Sequence, residues 1–126
     1  MVGRSSPYDE RLRPHERIRD EYEYKQVIRN GRLMRSESFK IYVLSDSGLR
    51  RKAGFIAGRG VGGSWRRNKA RRLLREAYRC LKSRLRPEGF KIVFVAGKGA
   101  AEVGKPEIQA EMLRVFARCG LLNGSR

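Results

Sequence analysis

Metal-binding and redox chemistry have little to work with in this chain. Its 126 residues hold two cysteines, Cys80 and Cys119, and a single histidine, His15, and their spacing matches no zinc-ligand pattern. Both thiols are expected to be buried and reduced. Clustered carboxylates or a histidine pair, the groups with which proteins hydrolyse phosphodiesters, are also missing, so no catalytic residue is assigned. Asp9, Glu10, Glu16, Asp20, Glu21 and Glu23 do gather near the start, but in a charge-mixed stretch where solvation and local pairing account for them. No apolar run approaches the roughly 20 residues of a membrane-spanning helix, and Met1 to Pro14 has no hydrophobic segment of the signal-peptide kind. The expectation is a cytoplasmic protein without membrane contact.

Acids are scarce as well: 13 Asp and Glu stand against 30 Lys and Arg, a formal net charge of +17. Such a charge opposes compaction unless an anionic partner screens it, and nucleic acid is the commonest such partner. A chain of this length suits one compact domain that buries about two-thirds of its unfolded surface, so it needs no staples.

Met1 to Arg17 shows no sustained period and reads as a mobile basic arm (1–17), followed by a single domain (18–122) and a short tail (123–126). Asp20 followed by Glu23 resembles a capping box. Tyr24, Val27 and Ile28 then fall at helical spacing, and Asn30-Gly31 is a stop signal. Phe39 to Leu44 alternates, with Phe39, Ile41 and Val43 on one side and Lys40, Tyr42 and Leu44 on the other, which predicts a strand ending in a turn at Ser45 to Gly48. A second strand, about Arg51 to Ala57, runs into Gly58, Gly60, Gly62 and Gly63. Ser64 is placed to cap a long helix reaching about Arg86, whose stripe is Ala70, Leu73, Leu74, Ala77, Leu81 and Leu85. Phe90 to Ala96 is apolar enough for a central strand. Pro106 opens a last helix carrying Ile108, Met112, Val115, Phe116 and Cys119. The reading is an α/β (α+β) two-layer sandwich of order α-β-β-α-β-α.

Wound at about 100° per residue, the long helix puts Asn68, Arg72, Arg75 and Arg79 opposite its apolar stripe, with Arg67 and Arg71 on one flank and Lys69 on the other. Glu76 is its only acid, so internal pairing cannot neutralise the row. Arg66, Arg67 and Lys69 crowd the first turn, where the helix dipole is already positive and each cation costs about 0.3–1 kcal/mol. A solvated basic face would not require that arrangement, whereas bound phosphates would relieve it. A second group, Tyr24 and Ile28 with Lys40 and Tyr42, is spaced to flank a groove in which bases could stack. Packing is the simpler account of Tyr24 and Ile28 from periodicity alone.

Gly58, Gly60 and Gly63 fit G-x-G-x-x-G between a strand and a helix. The acid that a dinucleotide site needs about 20 residues on is replaced by Arg79, Lys82 and Arg84, and no Walker lysine precedes Ser64. A nucleotide-dependent enzyme is therefore a third-ranked reading.

The run Arg67-Asn68-Lys69-Ala70-Arg71-Arg72-Leu73-Leu74-Arg75-Glu76-Ala77-Tyr78-Arg79 resembles the signature helix of the bacterial ribonuclease P protein subunit, R-N-R followed by basic and apolar residues. The likeness extends through Tyr24 to Gly31, Phe39 to Leu44, the strand into the glycine turn, and Phe90 to Ala96. It implies a mixed sheet with a left-handed crossover, and a ribonucleoprotein that removes the 5′ leader of precursor tRNA, in which the RNA subunit with bound Mg²⁺ cleaves and the protein positions the substrate. By that resemblance the helix residues Arg67, Asn68, Lys69, Arg71, Arg72 and Arg75, flanked by Arg66 and Arg79, face the ribonuclease P RNA. Tyr24, Ile28, Lys40, Tyr42 and Arg59 would line the leader cleft, and the protein would be monomeric within the complex. The chain departs from the family pattern at Lys69 (usually Arg), at Gly58-Arg59-Gly60 (a Ser-Lys-Lys-like stretch), at Gly63-Ser64-Trp65 (usually Asn-Ala-Val), and at Gly97, where a basic residue is usual and Lys98 follows. The competing reading is a structural ribosomal or RNA-assembly protein, equally small and basic, with no role in cleavage.

Overall fold

The computed structural model describes residues 12–124. Three helices, α1 (Glu21–Asn30), α2 (Ser64–Leu81) and α3 (Lys105–Arg118), and four strands, β1 (Arg32–Arg35), β2 (Phe39–Arg50), β3 (Lys52–Ile56) and β4 (Glu88–Ala96), give the expected α+β order with one strand added. The sheet runs β1-β2-β4-β3, antiparallel between its first three members and parallel between β3 and β4. A β3-α2-β4 crossover joins the parallel pair. The added strand, β1, is a four-residue edge in which only Met34 is partly buried.

Local chemistry explains the boundaries. Asp20 caps α1 by accepting the Glu23 amide at 2.8 Å, and the Gly31 amide closes the helix on Val27 O at 2.8 Å. Ser64 is not the cap of α2; it is the first helical residue, and Gly63 takes the cap position without a side-chain bond. The helix stops at Leu81 rather than Arg86, because the chain tightens into a 3-10 turn over Lys82–Arg84 before Pro87. The turn expected at Ser45 to Gly48 is instead an exposed, irregular continuation of β2. Its pairing with β4 shifts between Ser45 and Arg50, while the Gly48 amide donates to Asp46 Oδ1 at 3.1 Å.

The main core lies between the sheet and α2 with α3. Phe39, Ile41 and Val43 meet Phe90, Ile92 and Phe94 there, beneath Ala70, Leu74, Ala77, Tyr78, Met112 and Phe116. Phe94 is its hub, with ring contacts to Phe39, Phe55, Tyr78 and Phe116 at centroid separations of 5.7, 5.3, 5.6 and 6.2 Å. Burial raises the Tyr78 phenol far above its ordinary range, so it stays neutral. Glu111 of α3 is buried, yet it accepts Ser36 Oγ, the Ser38 amide and Ser38 Oγ at 2.6, 2.9 and 2.6 Å. Burial pushes its carboxyl up, but those hydrogen bonds outweigh it and the net shift is downward. This carboxylate ties the β1–β2 connection to α3.

The opposite face of the sheet carries α1 and a smaller cluster of Ile18, Val27 and Val93. The last residues of the expected arm belong to this body: Pro14–Glu16 form a 3-10 turn, Arg17 bridges to Ala53, and the Ile18 amide donates to Ala53 O at 2.9 Å. Residues 1–11 of that arm lie outside the described residues. Two acids assigned to solvation and local pairing make long-range contacts instead. Glu16 accepts Lys82 Nζ at 2.7 Å, and Glu23 pairs with Lys91 at 2.8 Å and Lys52 at 3.3 Å. For both carboxyls burial is outweighed by these lysines, and the pKa falls. Cys80 and Cys119 are free but half-buried rather than buried. No helix among the described residues is long and apolar enough to cross a membrane.

Candidate nucleic-acid interface

The outer face of α2 is cationic as its sequence predicts, but its eight polar residues do different things. Arg66 Nε donates to Val61 O at 3.1 Å and its guanidinium pairs with Glu102. Arg67 donates to Gly62 O at 3.1 Å and to Ser64 Oγ at 3.4 Å. These two arginines pin the glycine loop to the first helical turn, a tight arrangement in which Gly62 has φ +134°, a conformation that favours glycine. Arg71 donates to Asn68 Oδ1, and Arg79 grips Glu76 with two bonds of 3.2 and 2.8 Å. The Arg79 bond is the main cause that holds the Glu76 carboxyl below its ordinary range.

Lys69, Arg72 and Arg75 are exposed. Arg72 and Arg75 make no hydrogen bond or ion pair among the described residues, and Lys69 has only the Trp65 ring, 5.3 Å from its Nζ to the centroid. The first turn of α2 contains no acid. Three exposed cations thus stand along one solvent face of an 18-residue helix, with Glu76 as the nearby acid of that helix, and an anionic partner is attracted there without first breaking an internal ion pair of Arg72 or Arg75.

Across the sheet, register sets the second group. Tyr42 pairs with Val93, which in turn neighbours Gly54; Lys40 pairs with Val95, which neighbours Ile56. Both rows lie on the α1 side, where Tyr24 and Ile28 pack with Tyr42, Ile56 and Val95 as partly buried residues around Val93. Tyr24, Ile28, Lys40 and Tyr42 are therefore brought onto one face, with Lys40 Nζ 5.7 Å from the Tyr42 ring centroid. Arg59 is exposed in a 3-10 turn beyond the end of β3 and does not join them directly. Gly97 closes that end of the sheet: a Cβ there would lie 3.0 Å from Ser38 O, a tight contact that the carbonyl would have to relieve by a few tenths of an ångström, and the exposed cation beside it is Lys98.

The edge of β3 connects the two groups. Tyr24 lies across Gly54, where a Cβ would come within 2.7 Å of the ring Cζ, and its hydroxyl accepts the Phe55 amide at 3.2 Å. Around this ring Arg17, Arg19, Phe55, Arg71 and Arg75 line a cavity of 310 Å³. Two arginines come from the strand-like segment before α1 and two from α2, so the notch offers four cations over an aromatic floor. Sequence reasoning missed Arg17 and Arg19 by placing Arg17 in the arm. The signal was Arg17-Ile18-Arg19 itself, a polar-apolar-polar alternation whose centre is buried. Ile56 and Val95 were missed too, since a strand whose two sides are both apolar hides which side is left open.

Comparison with known proteins now adds to this geometry. The family model for Ribonuclease P matches residues 12–120. The ribonuclease P protein component of Symbiobacterium thermophilum is 35% identical over 107 residues, covering 84% of this chain and 92% of the relative. That of Roseiflexus castenholzii is 33% identical over 110 residues, covering 86% and 89%. Among solved structures, the ribonuclease P protein of Staphylococcus aureus superposes with a TM-score of 0.72 at 20% identity, over 86% of this chain and 98% of that one. The Thermotoga maritima protein gives 0.69 at 26% identity, over 82% and 96%.

Proposed function

The chain belongs to the ribonuclease P protein family, as a subunit of a tRNA-processing endoribonuclease, and we propose that it binds the catalytic RNA through α2 and the 5′ leader of precursor tRNA through the α1 side of the sheet. The observation that carries this reading is the notch at the β3 edge. It places Tyr24 of the cleft group and Arg71 and Arg75 of the signature helix around one cavity, so a strand leaving the cleft meets cations that also face the RNA subunit.

In this reading Lys69, Arg72 and Arg75 neutralise phosphates of the ribonuclease P RNA, while Arg66 and Arg67 fix the loop that precedes them. Tyr42 and Tyr24 offer ring faces to leader bases, and Lys40 and Arg17 meet the leader backbone. Held between two RNAs, the protein aligns the scissile phosphate by positioning alone. Among the described residues no three His, Cys, Asp or Glu converge as a metal site, and Glu16, Glu23, Glu76 and Glu111 are each engaged by lysine, arginine or serine. In this reading Mg²⁺ acts through the RNA subunit. One protein copy per complex, in the cytoplasm, completes the proposal.

The test is cleavage of a 5′-extended precursor tRNA by a bacterial ribonuclease P RNA at low Mg²⁺, with and without the protein. Protein-dependent cleavage at the mature 5′ end is the expected result. Tight RNA binding without any gain in rate would favour the ribosomal or assembly reading instead.

A further inference from the structure

Trp65 is the chain's only tryptophan, and it sits in the first turn of α2 with 70% of its surface exposed. A lone exposed apolar side chain is ordinary on a protein surface, so its surroundings decide. Residues 65, 69 and 72 fall one turn apart along a single stripe of the helix, which stacks the ring beside Lys69 and then Arg72. Beyond them Lys69, Arg72, Leu73 and Lys105, together with the carboxylates Glu76 and Glu102, line a groove of 370 Å³ between α2 and the start of α3.

The charge pattern selects the occupant. Cores of protein–protein interfaces are depleted in lysine, whereas this ring has Lys69 Nζ 5.3 Å from its centroid and exposed Arg72 next on the stripe, and the acids of the groove, Glu102 and Glu76, are already held by Arg66 and Arg79. A flat indole bordered by ammonium and guanidinium groups fits a nucleobase with its flanking phosphates. The leader is not that ligand. Lys40 and Tyr42 lie on the α1 side of the sheet, while α2 packs on the other side, and the Trp65 stripe borders α3 rather than the arginine notch.

Resting on the function proposed above, we infer that Trp65 is a stacking platform for an unpaired base of the ribonuclease P RNA, with Lys69 and Arg72 on the adjoining phosphates. The site distinguishes unpaired from paired RNA, since a base already inside a duplex cannot present its face.

Because Trp65 is the sole indole, its emission reports this contact directly. Wild-type protein, Trp65→Ala and Trp65→Phe are titrated with a transcribed bacterial ribonuclease P RNA, with a perfectly paired RNA duplex, and with precursor tRNA alone, while gel mobility measures occupancy independently. We expect emission to fall in step with occupancy on the ribonuclease P RNA and to stay level on the duplex. Trp65→Ala should lose about 5- to 150-fold in affinity for the ribonuclease P RNA with an unchanged salt slope, and Trp65→Phe should retain most of it. Level emission in a complex seen by mobility, equal quenching by the duplex, or full affinity in Trp65→Ala overturns the platform and leaves RNA binding by α2 intact. Failure of the wild-type protein to shift the ribonuclease P RNA at all overturns the function proposed above and this inference with it. Emission that responds to precursor tRNA alone would transfer the contact to the substrate and overturn the assignment.

Discussion

Beneath α2 and α3 the sheet is closed: Phe39, Ile41, Ala53, Phe90, Ile92 and Phe94 are all buried, and the one carboxylate among them, Glu111, has three hydrogen bonds. On the α1 side the same strands present Lys40, Tyr42, Leu44, Lys52, Lys91 and Val95, all only partly covered. A single short helix cannot span four strands. The closed face supplies stability, and the half-closed face leaves Lys40 and the Tyr42 ring at the surface and available to a ligand, while Lys52 and Lys91 are held by Glu23. The division predicts that damage on one side is read as unfolding and damage on the other as lost binding.

Phe94→Ala gives the largest effect. Removing the hub ring should cost about 3–5 kcal/mol, read as a lower urea midpoint, and any loss of RNA binding should vanish at temperatures where the variant is folded. A loss that persists in the folded variant would break the comparison. Glu111→Ala strands the Ser38 amide and two hydroxyls at a cost of about 1–3 kcal/mol. The same contact gives a pH signature. Because the folded-state pKa of Glu111 is depressed, its contribution is present above the unfolded carboxyl value and is lost as pH falls through the lower folded value. Wild-type stability should therefore drop on acidification more steeply than that of Glu111→Ala; parallel curves would contradict the assignment.

On the open side, Tyr42→Ala should alter stability by less than about 1 kcal/mol, yet weaken leader-bearing precursor by about 1–3 kcal/mol relative to mature tRNA. Equal losses for the two RNAs would remove Tyr42 from the cleft. The smallest effect belongs to Arg72→Ala, which should leave the urea midpoint within error and lower the slope of log K against log salt by about 0.7–0.9. Arg67→Ala sharpens the distinction, because its bonds to Gly62 and Ser64 make it both a loop clamp and a cation. It should lose stability and slope together.

The closed face was readable in the sequence, since its stripe on α2, its alternation in Phe39 to Val43 and its last helix all carry a period. So was the cap of α1, where Asp20 and Glu23 satisfy a local hydrogen-bonding need. β1 was not, because Arg32, Leu33 and Arg35 are exposed at an edge and show no alternation to detect. The site was half readable. The cationic face of α2 follows from helical spacing, but the union of Arg17 and Arg19 with Arg71 and Arg75 depends on β3 lying at the sheet edge, which no local pattern encodes. Ser64, a good cap by residue type, lost that role to Gly63 because Arg66 and Arg67 draw the loop carbonyls Val61 and Gly62 onto the helix.

The fastening of the segment before α1 sets an order of events for the growing chain. Ile18 waits for Ala53, and Glu16 waits for Lys82, 66 residues later. Closing so distant a contact is entropically slow, so in the growing chain the segment along the outer edge of β3 lacks its Glu16 tie until Lys82, just beyond α2, has been synthesised. During that interval an exposed strand and a strongly basic helix leave the exit tunnel together, at the surface of a particle made largely of RNA. A chain slowed at that step keeps a strand edge open to strand-to-strand aggregation.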